Sequence, residues 1–258
     1  MNEDNRTTQQ SLDSSQYEEA SIRQYEAVYG EDFVSPGGRQ LAVDTIAQLA
    51  LEPGSRVLDA GCGLGGSAFV MAREFGLQVE GVDLSRNMLA LARQKLESYD
   101  LAGQVELRFG DCLELEACER YHAVYSRDVF LHIADKPRLF ARLHRALRPG
   151  GRLLFTDYCC GPEPWGDGFR HYVEERGYCL HTPTEYAGLI AAAGFERVEA
   201  TDETARFLEI LHAELARIDT LAMDETVRGK LADSWRQKIQ RAQAGDQRWG
   251  LFSAVRAA

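Results

Sequence analysis

A glycine-rich turn predicts where this chain holds a nucleotide-type cofactor. Residues 57–66 read VLDAGCGLGG, in which Gly61, Gly63 and Gly66 fit a G-x-G-x-x-G pattern after a short apolar run. Glycine at the end of a strand lets the backbone approach a ligand closely. Asp83 ends the next predicted strand, where an acidic side chain commonly binds ribose hydroxyls. The pattern so far fits an NAD-dependent dehydrogenase and a methyltransferase equally.

Three further features separate these two classes. Asp59 lies two residues before Gly61, and a carboxylate there repels a pyrophosphate but suits the cationic amino acid end of S-adenosylmethionine. Asp111, after the third predicted strand, could accept a hydrogen bond from an adenine amino group, or it could be a turn residue. ALRPGGRLLFTD at 146–157 places a Pro-Gly-Gly turn before a strand. The ordered set resembles the class I S-adenosylmethionine-dependent methyltransferases, which implies S-adenosylmethionine as cofactor and S-adenosylhomocysteine as product.

A second set of motifs concerns the methyl acceptor. It comprises QY at 16–17, VSPGG at 34–38, YSRDVFLH at 125–132, TDYC at 156–159, YVEERGY at 172–178 and SWRQKI and QRWGLF near the end. These stretches run from about residue 16 onwards and resemble the phosphoethanolamine N-methyltransferases. That family methylates an amine stepwise and makes phosphocholine from phosphoethanolamine.

The resemblance implies a role for each matching position. It makes Tyr17, His132 and Asp128 the expected catalytic residues. The expected acceptor-binding residues are Gln16, Tyr17, Arg127, Asp128, His132, Tyr158, Tyr172, Arg176, Tyr178 and Lys238. With the glycine turn and its neighbours, the expected cofactor-binding residues are Ser35, Asp59, Gly61, Gly63, Asp83, Leu84, Asp111, Cys112 and Arg127. We expect no metal, because the sequence has no clustered His and Asp ligand spacing.

The chemistry of amine methylation fits these residue types. A primary amine with a pKa near 10 is mostly protonated at neutral pH, so a base and desolvation must remove a proton. His132, with an ordinary pKa of about 6.5, is suited to that step. Tyr17 could position it or bond the amine, and Asp128 could stabilise cationic intermediates.

Two parts of the predicted acceptor site depend on local structure. Arg176 and Tyr178 share a face if the chain is extended there, but they diverge if it is helical. Lys238 in a helix would be a solvated surface charge unless the helix folds inward, where Lys suits a phosphate or a carboxylate.

Alternating patterns predict the elements that position these residues. Period-two apolar runs predict seven strands, at 56–60, 78–83, 104–109, 122–126, 152–157, 195–200 and 249–257. Helical periodicity predicts helices, at 16–30, 41–50, 66–75, 86–98, 137–148 and 183–193. We therefore expect a Rossmann-like α/β class I methyltransferase fold, with a mostly parallel seven-stranded sheet whose last strand is antiparallel. We expect a disordered tail at 1–15, a single domain at 16–258 with an N-terminal helical cover, and a helical lid inserted at 203–245.

Composition narrows the partners. The chain has 258 residues and a net charge of −11, which argues against nucleic acid or an anionic membrane as the main partner. It has no apolar run of about 18 residues and no signal-peptide core, so we expect a cytoplasmic protein with reduced cysteines. We expect a small zwitterionic amine as substrate, no membrane insertion, and a monomer or weak dimer.

Other functions remain open at this point. The same pocket could serve an N-methyltransferase for another small zwitterion, such as histidine or the thiol-histidine of ovothiol-type biosynthesis. An arsenite methyltransferase is a further alternative, suggested by the thiols of Cys159, Cys160 and Cys179, but the tyrosines and basic residues have no role in that chemistry. A catalytically silent nucleotide sensor is an alternative outside this class and need not retain His132.

Overall fold

A computed structural model describes residues 19–258 as seven strands with helices packed on both faces of their sheet. The strands are β1 (Arg56–Ala60), β2 (Gln78–Asp83), β3 (Val105–Phe109), β4 (Tyr121–Arg127), β5 (Leu147–Cys160), β6 (Phe195–Asp202) and β7 (Gln247–Arg256). The α-helices are α1 (Glu19–Tyr29), α2 (Gly38–Gln48), α3 (Gly66–Phe75), α4 (Arg86–Ser98), α5 (Lys136–Ala146), α6 (Asp167–Arg176), α7 (Pro183–Ala192), α8 (Thr204–Ile218) and α9 (Glu225–Ala244).

The sheet has the strand order β3-β2-β1-β4-β5-β7-β6, in which β7 is antiparallel to both neighbours and the other neighbouring pairs are parallel. The predicted α/β class and the antiparallel last strand are therefore confirmed. Order reverses between β1 and β4, and such switch points form the ligand crevice in open α/β sheets.

Local sequence explains how the elements begin. Ser85 begins α4, because its hydroxyl accepts from Met88 N at 3.1 Å. Thr182 and Glu185 form a capping box at the start of α7. Both faces of the sheet carry buried clusters, one against α2, α3, α8 and α9 and the other against α5 and α7.

Several predicted boundaries need correction. Helix α6 was missed because DGFRHYVEER has a weak apolar stripe, with only Phe169 and Val173 buried. Strand β5 is longer than 152–157, since it begins at Leu147 and a register shift opposite β4 absorbs the Pro-Gly-Gly residues. The segment 203–245 forms two helices, α8 and α9, and its role as a lid stays a prediction.

The predictions for the tail 1–15, for Gln16 and for Tyr17 lie outside the described residues. Among residues 19–258, no helix combines the length and apolar character needed to cross a bilayer.

Candidate active site

A cavity of about 550 Å³ lies at the carboxyl ends of β1 to β4, beneath α1 and α9. All predicted site residues within the described chain line it. They are Ser35, Asp59, Gly61, Gly63, Asp83, Leu84, Asp111, Cys112, Arg127, Asp128, His132, Tyr158, Tyr172, Arg176, Tyr178 and Lys238. The fold thus brings together residues from distant parts of the sequence, and their individual roles stay predictions.

The glycine turn is built for close approach. Gly61 has a φ of 81°, and a Cβ at this position would lie 2.4 Å from the side-chain methyl carbons of Val129. Gly63 N donates to Asp83 Oδ2 at 2.8 Å, while Ser85 N donates to Asp83 Oδ1 at 2.8 Å. Asp83 is therefore fixed at the cavity by two backbone N–H groups.

Asp59 is buried, with 2% of its surface exposed. Its Oδ2 has no hydrogen-bond partner within the described part of the chain. Burial, aided by the nearby Asp83 charge, raises the pKa of Asp59 to about 7, while Arg127 opposes that shift. A buried, unsatisfied carboxylate facing a cavity is suited to a cationic or N–H-bearing ligand group.

Asp111 combines the two roles considered for it. Its Oδ1 accepts from Leu113 N at 2.8 Å and begins a short 3₁₀ turn at Cys112–Glu114. It also lines the cavity beside Gly110. Its capping bond uses one carboxylate oxygen, which leaves acceptor capacity for a ligand amino group.

Arg127 holds the loop 34–38 over the cavity. Its guanidinium donates to the carbonyls of Pro36 and Gly38 at 2.5 and 2.9 Å. Ser35 and Pro36 line the cavity next to it. A side chain at the end of β4 thereby fixes a loop that covers the glycine turn.

Asp128 follows Arg127 with a φ of 53°, a conformation that costs energy for a non-glycine residue. Its Oδ1 accepts from Trp249 Nε1 at 2.8 Å and from the Thr156 hydroxyl at 3.3 Å. Its Oδ2 is buried without a hydrogen-bond partner among residues 19–258. Burial raises the pKa of Asp128, whereas the Arg127 charge and the two bonds lower it.

His132 ends a 3₁₀ turn, and its ring lies edge-on to Tyr178 with centroids 5.2 Å apart. Burial, with the positive charges of Lys136 and Arg176, lowers the pKa of His132 to about 4. The imidazole is therefore neutral at physiological pH and able to accept a proton. The ordinary value of 6.5 used in the sequence argument does not apply to the ligand-free site.

Three cations and several aromatic rings lie together at one part of the cavity. Lys238 Nζ lies 4.6 Å from the Trp235 ring centroid and donates to the Tyr29 hydroxyl at 3.3 Å. The Arg241 guanidinium lies 3.8 Å from the Tyr172 centroid, and that of Arg176 lies 6.0 Å from the same centroid. This part can bind an anionic group and also pack against a methylated ammonium.

Burial determines the pKa of Lys238, which is 9% exposed. It lowers the pKa of Lys238 to about 8, against the opposing effect of Glu214. Helix α9 does fold inward, so Lys238 is not a solvated surface charge. Arg176 ends α6, and Gly177, with a φ of 63°, turns the chain so that Tyr178 also reaches the cavity. Neither the extended nor the purely helical expectation for this pair holds.

Sequence reasoning missed several cavity residues. Tyr25 and Tyr29 occupy positions i and i+4 of α1, and Trp235 and Arg241 lie three residues on either side of Lys238 in α9. Helical spacing from Lys238 could have identified the last two.

Comparisons with known proteins place this architecture in a class. The family model described as a methyltransferase domain matches residues 37–200. Together with the strand order and the glycine turn, this match makes the chain a class I methyltransferase.

Its relatives narrow the class. The chain is 39% identical over 262 residues to phosphoethanolamine N-methyltransferase 3 of Arabidopsis thaliana, covering 98% of this chain and 53% of the plant protein. It is 32% identical over 255 residues to the phosphoethanolamine N-methyltransferase of Plasmodium falciparum, covering 95% of each. The chain belongs to the phosphoethanolamine N-methyltransferase family. It spans about half the length of the plant relatives it matches.

A solved structure agrees. Haemonchus contortus phosphoethanolamine N-methyltransferase 2, in complex with phosphomonomethylethanolamine and S-adenosylhomocysteine, matches with a TM-score of 0.94 at 34% identity. The match covers 97% of this chain and 60% of that one.

Proposed function

We propose that this chain transfers a methyl group from S-adenosylmethionine to the amine of phosphoethanolamine and of its mono- and dimethyl forms. One observation carries the proposal: the buried Lys238 and the half-buried Arg176 and Arg241 stand among aromatic rings in the same cavity as His132 and the glycine turn. That arrangement suits a small molecule with an anionic group at one end and an amine at the other.

The residues at the glycine turn fit S-adenosylmethionine. The unpartnered Oδ2 of Asp59 is available to the amino acid end, and Asp83 is fixed for the ribose. A Cβ at Gly61 would strike Val129, so this position of the turn requires glycine. When bound, the cofactor supplies an already activated methyl group on a sulfonium.

The acceptor amine must lose a proton before it attacks that methyl group. In the ligand-free site the His132 pKa of about 4 lies about six units below that of an amine, a gap of roughly 8 kcal/mol. Desolvation lowers the pKa of the amine in the site. A phosphate bound at Arg176 would offset one of the cations that lower the His132 pKa, so acceptor binding itself makes His132 a stronger base.

Asp128 and the aromatic rings would stabilise the positive charge of the substrate and product ammonium groups. The free Oδ2 of Asp128 attracts the ammonium forms of substrate and product. Tyrosine faces stabilise a methylated ammonium by cation–π contact. A third transfer gives phosphocholine, which has no N–H left to lose, and we include phosphocholine formation in the proposal.

We also propose that this chain works in the cytoplasm, without nucleic acid, as a monomer or weak dimer. The net charge of −11 argues against a nucleic-acid partner, and the six unpaired cysteines, all within the described residues, fit a reducing compartment.

The test is a methylation assay that measures S-adenosylhomocysteine release. The acceptors are phosphoethanolamine, its monomethyl form, ethanolamine, glycine, histidine and thiol-histidine. We expect turnover of the two phosphate-bearing acceptors and little or none of the others. Turnover confined to ethanolamine or to the carboxylate acceptors would overturn the phosphobase assignment and favour the other zwitterions.

Lys238→Ala and Lys230→Ala form a matched pair for this assay. Both lysines lie on α9, but Lys230 is exposed and Lys238 is buried at the cavity. We expect the KM for phosphoethanolamine to rise by at least about tenfold in Lys238→Ala, as loss of a charge-assisted contact implies, and to stay unchanged in Lys230→Ala.

A further inference from the structure

Glu214 is a buried carboxylate in the middle of α8, with 7% of its surface exposed. Both of its oxygens accept hydrogen bonds. Oε1 accepts from Gly37 N at 2.8 Å, and Oε2 accepts from Trp235 Nε1 at 2.9 Å. Because the two donors reach different oxygens, a glutamine in the same position would present its donating amide nitrogen to one of them.

The two donors belong to two different elements beside the cavity, the loop 34–38 and helix α9. Gly37 lies between Pro36 and Gly38, whose carbonyls hold Arg127 over the cofactor end. Trp235 lies on α9 and its ring packs against the ammonium of Lys238 at the acceptor end. Glu214 therefore connects the covering loop to the helix that carries the anion-binding lysine.

Charge adds a second link between Glu214 and Lys238. Burial lowers the pKa of Lys238 to about 8, and Glu214 is the largest influence opposing that change. Asp128 also raises this pKa, Arg241 and Arg176 lower it, and the Tyr29 hydroxyl accepts a hydrogen bond from Lys238. Loss of the Glu214 charge would leave Lys238 less protonated at mildly alkaline pH.

We propose that Glu214 is a positioning residue that couples cofactor binding to acceptor binding. Its carboxylate ties the loop 34–38 to Trp235, so that ordering the loop over the cofactor also orders Lys238 for the anionic group of the acceptor. The inference rests on the proposed function, since it takes the two ends of the cavity to be the cofactor and acceptor ends.

The test uses the full chain and Glu214→Gln, with Glu209→Gln as the matched control. Glu209 lies on the same helix but is exposed, so the control removes an equal charge without a buried contact. Calorimetry would measure phosphoethanolamine affinity with and without S-adenosylhomocysteine, from pH 6.5 to 9. In the wild-type protein and the control, we expect S-adenosylhomocysteine to tighten acceptor binding about 5- to 10-fold.

In Glu214→Gln we expect that coupling to fall to less than twofold. We also expect the pH above which acceptor binding weakens to move downward, because the pKa of Lys238 falls when its counter-charge is lost. A purely structural role would lower thermal stability but would not shift this pH dependence. Trp235→Phe, which removes the second donor and keeps a ring, should lose the coupling too.

Wild-type coupling and wild-type pH dependence in Glu214→Gln would overturn the inference while leaving the proposed function intact. Wild-type protein that binds S-adenosylhomocysteine but not phosphoethanolamine would instead overturn the proposed function. If Glu214→Gln does not fold, Trp235→Phe decides: retained coupling in that variant contradicts the tie, and lost coupling supports it.

Discussion

Replacing Asp59 by asparagine should stabilise the ligand-free protein while weakening its affinity for the cofactor. The carboxyl group is 2% exposed, and its Oδ2 is without a hydrogen-bond partner among residues 19–258. Burial raises the Asp59 pKa to about 7, whereas an unfolded aspartate has a pKa of about 3.9. The protonated form is therefore favoured in the folded state, and its stability contribution is fully present below about pH 4 and lost as pH rises through 7.

The magnitude follows from this difference. Three pKa units correspond to roughly 4 kcal/mol of unfolding free energy above pH 7, and to about 1.5 kcal/mol at pH 5. Asparagine keeps the shape of the side chain and an oxygen for the Ala68 backbone N–H that Asp59 now accepts. Its unpaired amide N–H groups remove about 1–2 kcal/mol of the gain. We expect a net gain of about 2–3 kcal/mol at pH 8 that disappears near pH 5 and becomes a net loss of about 1 kcal/mol at pH 4.

The assay is urea unfolding of the ligand-free protein at pH 4, 5, 6, 7 and 8, with S-adenosylhomocysteine affinity measured by calorimetry. Asp233→Asn is the control, because Asp233 is exposed and pairs with Arg236 on the helix surface. The control should change stability by less than about 0.5 kcal/mol at every pH. An Asp59→Asn protein whose stability difference from wild type does not grow with pH would refute the argument from burial. Undiminished cofactor affinity would refute the binding role.

Three further predictions address the rest of the site. His132→Ala should keep cofactor affinity and lose at least about 100-fold in kcat, the usual size of a general-base effect, whereas full activity of the variant in a pH 7 assay would remove His132 as the base. Gly61→Ala should lower the free energy of unfolding, measured by urea titration, by about 1–3 kcal/mol and should weaken cofactor binding. The reason is that the new methyl group strikes Val129 and that the residue has a φ of 81°. Normal cofactor binding would show that the turn can shift. Binding of phosphoethanolamine at pH 8.5 should be accompanied by uptake of about 0.7 proton per molecule, because the pKa of Lys238 is about 8 before the phosphate raises it. Calorimetry in buffers of different ionisation enthalpy measures this uptake. The variant Lys238→Met should abolish it.

The sheet could be predicted from sequence because strands and helices alternate with distinct apolar periods. The predicted strands at 56–60 and 78–83 have the same first and last residues as β1 and β2, since buried parallel strands are short apolar runs bounded by turn residues. Helix α6 could not be predicted in this way. Its stability comes from packing Phe169 and Val173 against neighbouring elements rather than from a continuous apolar stripe.

The site residues were predicted largely through the resemblance to a family, and the structure adds what their environments do to them. The spacing of Arg127, Asp128 and His132 gives no indication that the His132 side chain is neutral in the folded chain, because its lowered pKa depends on burial first and then on the charges of Lys136 and Arg176. No sequence pattern indicated a role for Glu214. A glutamate at a buried position of α8 looks like one charge in an amphipathic helix until its two donors are seen.

The cavity has an electrical polarity that fits a zwitterion moving past a fixed cofactor. Carboxylates with unpartnered buried oxygens, Asp59 and Asp128, stand at the glycine turn and beside His132, and the pKa of each is raised by burial. Lys238 lines the same cavity, and burial lowers its pKa while the Glu214 and Asp128 charges oppose that change. Burial thus disfavours the charged form of each group, and a ligand group of opposite charge would favour it. Under the proposed function, the carboxylates would meet the sulfonium cofactor and the amine, and the lysine would meet the phosphate.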